Sequence, residues 1–110
     1  MPNINWGQVG NDVKTAVSGV LGSSWNIVSS AAGPQIQAMI NIAQMIEQSY
    51  SQGNLTKDEY DTLRSNQKNA LEGVLSSYAA VGIVVAEQAA DAAWAVVSRA
   101  LQSGAGVAFI

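Results

Sequence analysis

The sequence predicts an all-α protein, an elongated antiparallel helical hairpin, on three observations. Apolar residues recur at steps of three and four over nearly the whole chain, the spacing of one helix face. The densest cluster of turn formers, Ser51-Gln52-Gly53-Asn54, falls near the middle, so residues 6–52 and 56–101 form arms of almost equal length about a turn at 53–55. Charge gathers at that turn: Glu47, Lys57, Asp58, Glu59, Asp61, Arg64, Lys68 and Glu72 are eight of the thirteen charged residues, five basic and eight acidic in all.

In the first arm, Asn5 followed by Gln8 forms a variant of the capping box. Val9, Val13, Val17, Val20, Leu21, Ser24, Ile27, Val28 and Ala31 then share one helix face. Gly7, Gly10, Gly19 and Gly22 weaken the helix and point to close approach of a neighbouring backbone. Gly33-Pro34 is expected to kink or break the arm, because proline has no N–H to donate and disfavours helical dihedrals at the residue before it. The spacing resumes through Ile36, Met39, Ile40, Ala43, Ile46 and Tyr50, either as a kinked continuation or as a new helix with Pro34 at its first position.

Gly53 or Asn54 suits a left-handed cap at the turn. The second arm opens with a capping box: the Thr56 side chain can accept from the Glu59 N–H while Glu59 reaches back to Thr56. Asp58, Glu59 and Asp61 suit the positive end of the helix dipole, Arg99 suits the negative end, and Gly104 supplies a stop. Only Gly73 and Gly82 weaken the span, by roughly 1 kcal/mol each relative to alanine. One helix over 56–101 would run about 69 Å. A second arrangement stays open, a compact bundle in which this arm also breaks near Gly73 or Gly82. The tail, residues 102–110, ends apolar at Phe109 and Ile110 and is expected to dock on something.

The length suits a single domain over 1–110. The charged fraction of 12% is about half that of ordinary domains, and a net charge of −3 with five basic residues forms no patch for phosphate backbones, so no nucleic-acid partner is expected. Cysteine and histidine are absent, which removes thiol chemistry, disulfides, Cys/His zinc sites and a Ser-His pair. With no glycine-rich cofactor loop, the expectation is no enzyme, no cofactor, no metal and no small-molecule substrate. Met1-Pro2-Asn3-Ile4-Asn5 lacks the form of a secretory signal, so synthesis in the cytoplasm is expected, with assembly into a particle or non-classical export open.

Glu87 and Asp91 stand one turn apart, and paired carboxylates can do acid–base work or hold a hard cation. No third ligand accompanies them, so a polar stripe or an ion pair with Lys14 or Arg99 is the plainer reading. Small residues recur at four-residue steps, at Ser18 and Gly22 on the first arm and at Gly82, Ala86 and Ala90 on the second. Such spacing lets helices approach closely. Trp6, Trp25 and Trp94 all fall far from the turn along the arms, where they would anchor contacts between subunits or seek a membrane interface. These residues, with Phe109 and Ile110, form the expected assembly interface, while Gly53, Asn54, Thr56 and Glu59 build the turn. No charge falls within 15–46 or 73–86, but the first run is cut at Gly33-Pro34 and the second is too short to span a bilayer.

Residues 45–71, with Gly53-Asn54-Leu55-Thr56-Lys57-Asp58-Glu59-Tyr60 at their centre, resemble the SHOCT short helical hairpin, a pattern of helix, glycine, apolar residue, threonine, acidic residues and an aromatic. The resemblance covers about a quarter of the chain. It implies an interaction module of bacterial or phage origin without catalytic residues.

A hairpin alone cannot cover apolar faces on both sides of its arms. The first expectation is therefore a non-enzymatic, self-assembling subunit of a filament, tube, shell or virion-associated structure, with copies of itself as partners. A membrane-active, pore-forming or phage-ejected protein with lipid as partner is the second. A helical adaptor for another protein is the third.

Overall fold

The computed structural model describes residues 4–107. Four α-helices follow one another, α1 (Trp6–Leu21), α2 (Trp25–Ser51), α3 (Lys57–Ser76) and α4 (Ile83–Ala105), with one 3-10 turn at Gly22–Ser24. The all-α class stands. The course of both arms differs from expectation, and Phe109 and Ile110 lie outside the described residues.

The first helix begins where expected, with Asn5 Oδ1 accepting from the Gln8 N–H at 3.1 Å. It buries Val9, Val13, Val17 and Leu21, one residue per turn. It stops at Gly22, whose φ of 59° is strained for residues with a Cβ. The break in the first arm is thus at Gly22, and of the two readings at Gly33-Pro34 the structure has the continuation rather than a new helix: α2 runs through Pro34. The reason is phase. Val28, Ala32, Ile36 and Ile40 repeat every fourth residue across Pro34 and all are buried. Pro34 and Ser30, the residue four positions before it, both lie on the exposed face. The proline therefore forfeits a backbone bond only where water can solvate the freed carbonyl.

At the middle turn, Gly53 adopts φ 73° and the Asn54 N–H donates to the Ser49 carbonyl at 2.9 Å. The Thr56–Glu59 capping box then opens α3 with both reciprocal hydrogen bonds at 3.1 Å. A second correction follows. The helix expected over 56–101 ends at Ser76, and the chain turns through Ser77 to Val81 before restarting after Gly82 at φ 74°. Val81, 5% exposed, folds inward and plugs the turn. The fourth helix ends at Gly106 in the left-handed region, two residues beyond the expected stop at Gly104.

With both arms broken, each folds back on itself. Four contacts between elements give the path: Trp6 Nε1 donates to Glu47 Oε1 at 3.0 Å, Trp94 Nε1 donates to the Tyr60 hydroxyl at 3.0 Å, Lys68 pairs with Asp91 at 2.6 Å, and Ile4 packs against Gly104. Each sequential pair of helices is antiparallel, and α4 returns along α1, closing an up-down-up-down four-helix bundle. Among the described residues α2 and α4 meet across the diagonal while α1 and α3 do not. The molecule measures 42 × 25 × 18 Å with a radius of gyration of 13.8 Å, so the rod of about 69 Å is replaced by a bundle about as long as α2.

Candidate interaction surface

The two breaks lie together. The Gly22–Ser24 turn and the 77–82 turn form one end of the bundle, joined by a long hydrogen bond of 3.5 Å from Ser24 Oγ to the Ala80 carbonyl. The Gly53 turn, Ile4, Trp6 and Gly104 form the other. The charge-free runs 15–46 and 73–86 both pass through the first end, and the former continues along α2 toward the other. The first turns of α2 and α4 carry no acidic residue, and the last turns of α1 and α3 carry no basic one.

The opposite end is charged. Lys57 and Arg64 flank Asp61 at 2.7 and 3.5 Å, and the hydrogen bond from Lys57 holds the Asp61 carboxyl below its usual pKa. Asp58 and Glu59 add negative charge to the first turn of α3, where the helix dipole favours it.

What the uncharged end presents instead is apolar. Ile27 in the first turn of α2 is 56% exposed, and Ile83 and Val84 at the start of α4 are 71% and 68% exposed. Ile27 directly precedes Val28, the first inward position of α2, and Ile83 and Val84 directly follow Gly82, Val84 sharing the outer face of α4 with the exposed Gln88, Asp91 and Ala95. Gly22, Ser23, Ser77, Ala79, Ala80 and Gly82 surround them, all exposed and none charged. Trp25 is half-buried and packs on the core beside this surface. Large apolar side chains left exposed are candidates for association, because a partner would relieve their contact with water.

The expected interface residues therefore separate. Gly22, Trp25 and Gly82 lie at the uncharged end, and Ser18 is half-buried one turn below it on α1. Ala86, Ala90 and Trp94, at 0%, 1% and 4% exposure, are inside the chain's own core and present no surface to a second copy. The small-residue face of α4, which also includes Ala89 and Ala93, serves close packing within the chain. Trp6 and Trp94 are not remote from the turn: the folding back of both arms brings them to Glu47 and Tyr60. Gly53, Asn54, Thr56 and Glu59 build the middle turn as expected.

Asp91 takes Lys68 as its partner rather than Lys14 or Arg99, and Glu87 is exposed. Among the described residues no group of three acidic side chains is placed to hold a metal ion. A shallow groove of about 120 Å³ between α1 and α2, lined by Gly7, Gly10, Lys14, Ile36 and Ile40 beside Trp6, offers a single cation. No described helix is long and apolar enough to cross a membrane.

Sequence reasoning missed Ile27, Ile83 and Val84 as surface residues, because the spacing put Ile27 on the apolar face of the first arm and a continuous 56–101 helix left Ile83 and Val84 inside an element rather than beside a turn. The signal that could have found Ile83 and Val84 was the uncharged 73–86 run with Gly82 inside it, read as a turn. No protein-family model, curated protein or solved structure matches the chain.

Proposed function

We propose that the protein is a non-enzymatic structural subunit that works by associating with copies of itself. The observation that carries this reading is the exposure of Ile27, Ile83 and Val84 on an end of the bundle that bears no charge. The basis has changed from the sequence reading. Unpaired hairpin faces no longer require a partner, since the bundle covers them with its own helices, and the demand for a partner is concentrated on one end. Assembly into a filament, tube, shell or virion component belongs to this proposal as the setting in which such a subunit works. The likeness of residues 45–71 to a short interaction hairpin accords with it.

Sedimentation velocity of the purified full chain over a range from about one to several hundred micromolar tests the reading. Mass that rises with concentration is expected. A single species of one chain throughout would overturn it, and a shift produced only by adding another protein would favour the adaptor reading.

A further inference from the structure

Resting on the self-association reading, we propose that two copies of this chain associate by exchanging α4: the 77–82 connection opens at Gly82, and each copy lays its fourth helix into the place that the other's has left.

The connections between helices are built unequally. At residues 52–56 the Asn54 N–H donates to the Ser49 carbonyl, Thr56 and Glu59 cap each other, and Asp58 and Glu59 face the positive end of the α3 dipole. The 77–82 connection has none of these. No basic residue stands in the last turn of α3, no acidic one in the first turn of α4, and no side chain caps the first N–H groups of α4. Its hydrogen bonds from the Tyr78 N–H to the Leu75 carbonyl and from the Val81 N–H to the Tyr78 carbonyl are one residue tighter than those of an α-helix. The run Ser77-Tyr78-Ala79-Ala80-Val81 contains no proline, and within 77–82 Gly82 alone has a positive φ, 74°. Turning that one residue to negative φ, where glycine is equally at ease, lets the N–H groups that begin α4 take the carbonyls of 79–81 as helical partners. Burial of Val81, 5% exposed, and the 3.5 Å bond from Ser24 Oγ to the Ala80 carbonyl resist the opening. The Gly22–Ser24 connection, also uncapped, is shorter and runs directly into α2.

The helix that fills the vacated place is fixed by what the place requires. Among the described residues α4 meets all three other helices and is joined to them through this one connection, so a change at one hinge releases it. Its alanines at 86, 89, 90 and 93 are buried where neighbouring helices approach closely, Trp94 donates to the Tyr60 hydroxyl, and Asp91 meets Lys68 at 2.6 Å. The α4 of a second copy carries the same residues in the same order and restores each of these contacts, so the pair needs no surface that the single bundle lacks. Within one chain α4 is always at hand, which favours the closed form when dilute; exchange gains as the concentration rises.

The full chain, which has no cysteine of its own, tests this as two variants, Lys68→Cys and Asp91→Cys, placed at an ion pair open to solvent. The two are refolded together from urea at high concentration and treated with a short bismaleimide. Exchange brings position 68 of one copy against position 91 of the other, so covalent pairs holding one chain of each variant should form in clear excess over pairs of like chains. Gly82→Ala is strained at φ 74° in the closed turn and relaxed in the opened one, and it acts at both hinges of the pair. Sedimentation equilibrium should therefore show its pair dissociating at least about twentyfold less readily than that of the wild type. Where Gly82→Ala fails to fold, the mixed link decides alone. A wild type that stays a single chain overturns the exchange together with the self-association reading. A wild type that associates, with mixed links no more frequent than like ones or with a folded Gly82→Ala pairing no more tightly, overturns the exchange alone.

Discussion

Tyr60 is the largest fully buried side chain on α3, and its hydroxyl accepts the indole N–H of Trp94 with the ring centroids 6.1 Å apart. Burial raises the Tyr60 pKa above 10.0, against the opposing pull of the Trp94 hydrogen bond and of the Arg64 guanidinium 6.0 Å from the ring. Tyr60→Phe leaves the buried indole donor without that acceptor and should cost about 1–3 kcal/mol in urea unfolding. The same residue sets a pH dependence. A phenol whose folded pKa is raised contributes stability that is complete below 10.0 and is lost as pH rises through the higher folded value. Melting temperature should therefore fall more steeply above pH 10 in the wild type than in Tyr60→Phe. Asp61 works in the other direction. Its carboxyl is lowered below 3.8 by Lys57, so its contribution is present above that value and disappears as acid protonates it. Because the Asp61 carboxylate lies at the surface and is screened by water and salt, Asp61→Asn should change the acid limb of a pH–stability curve only slightly. Both residues were visible in the sequence, but only as the aromatic of the 45–71 hairpin pattern and a dipole-favoured acid. Their partners come from α4 in one case and from one turn either side in the other.

The decision between a long helix and a broken one turns on backbone angles that composition does not reveal. Gly73 and Gly82 look equivalent in the sequence, two glycines in a run of helix formers. Gly73 is helical and exposed with open space where a Cβ would sit, whereas Gly82 adopts φ 74° at the start of α4. Gly73→Ala should stabilise the protein by about 0.5–1 kcal/mol, and Gly82→Ala should destabilise it by about 1 kcal/mol or more, in parallel chemical denaturation. Equal signs at the two positions would argue for a continuous second arm. Pro34 carries the complementary lesson. A breaker inside a helix interrupts it only when the apolar stripe changes phase there, and the four-residue step from Val28 to Ile40 does not. Gly104 lies against Ile4 so closely that an added Cβ would clash with the Ile4 side chain, which ties the end of α4 to the segment leading into α1.

At the scale of the molecule, Ile27, Ile83 and Val84 lie toward the end opposite the charged Gly53 turn, with Glu72 and Glu87 about one helical turn away. That separation predicts a salt response. Association through the uncharged end should be unchanged or strengthened between about 0.05 and 1 M sodium chloride, since hydrophobic contact is not screened and the residual −3 repulsion is. The Lys68–Asp91 pair, 33% and 53% exposed, contributes only about 0.2–1 kcal/mol and should weaken over the same range. Sedimentation and melting in one salt series check the two trends together.

The sequence by itself determined the helical class, the capping box at Thr56, the reversal at Gly53, the inward stripes of α1 and α2 and the lack of charge over 15–46 and 73–86. These are local matters, settled by the 3.6-residue period, by side chains that reach their own backbone, and by composition. Only the tertiary structure decided that each arm folds in two, that Ala86, Ala90 and Trp94 turn inward, and that Ile27, Ile83 and Val84 stay outside. The physical reason is that an apolar helix face is satisfied equally well by a neighbour in the same chain or in another. Which neighbour it finds depends on where glycines at 22 and 82 let the backbone turn back, and a glycine reads the same in the sequence whether its φ is negative or positive.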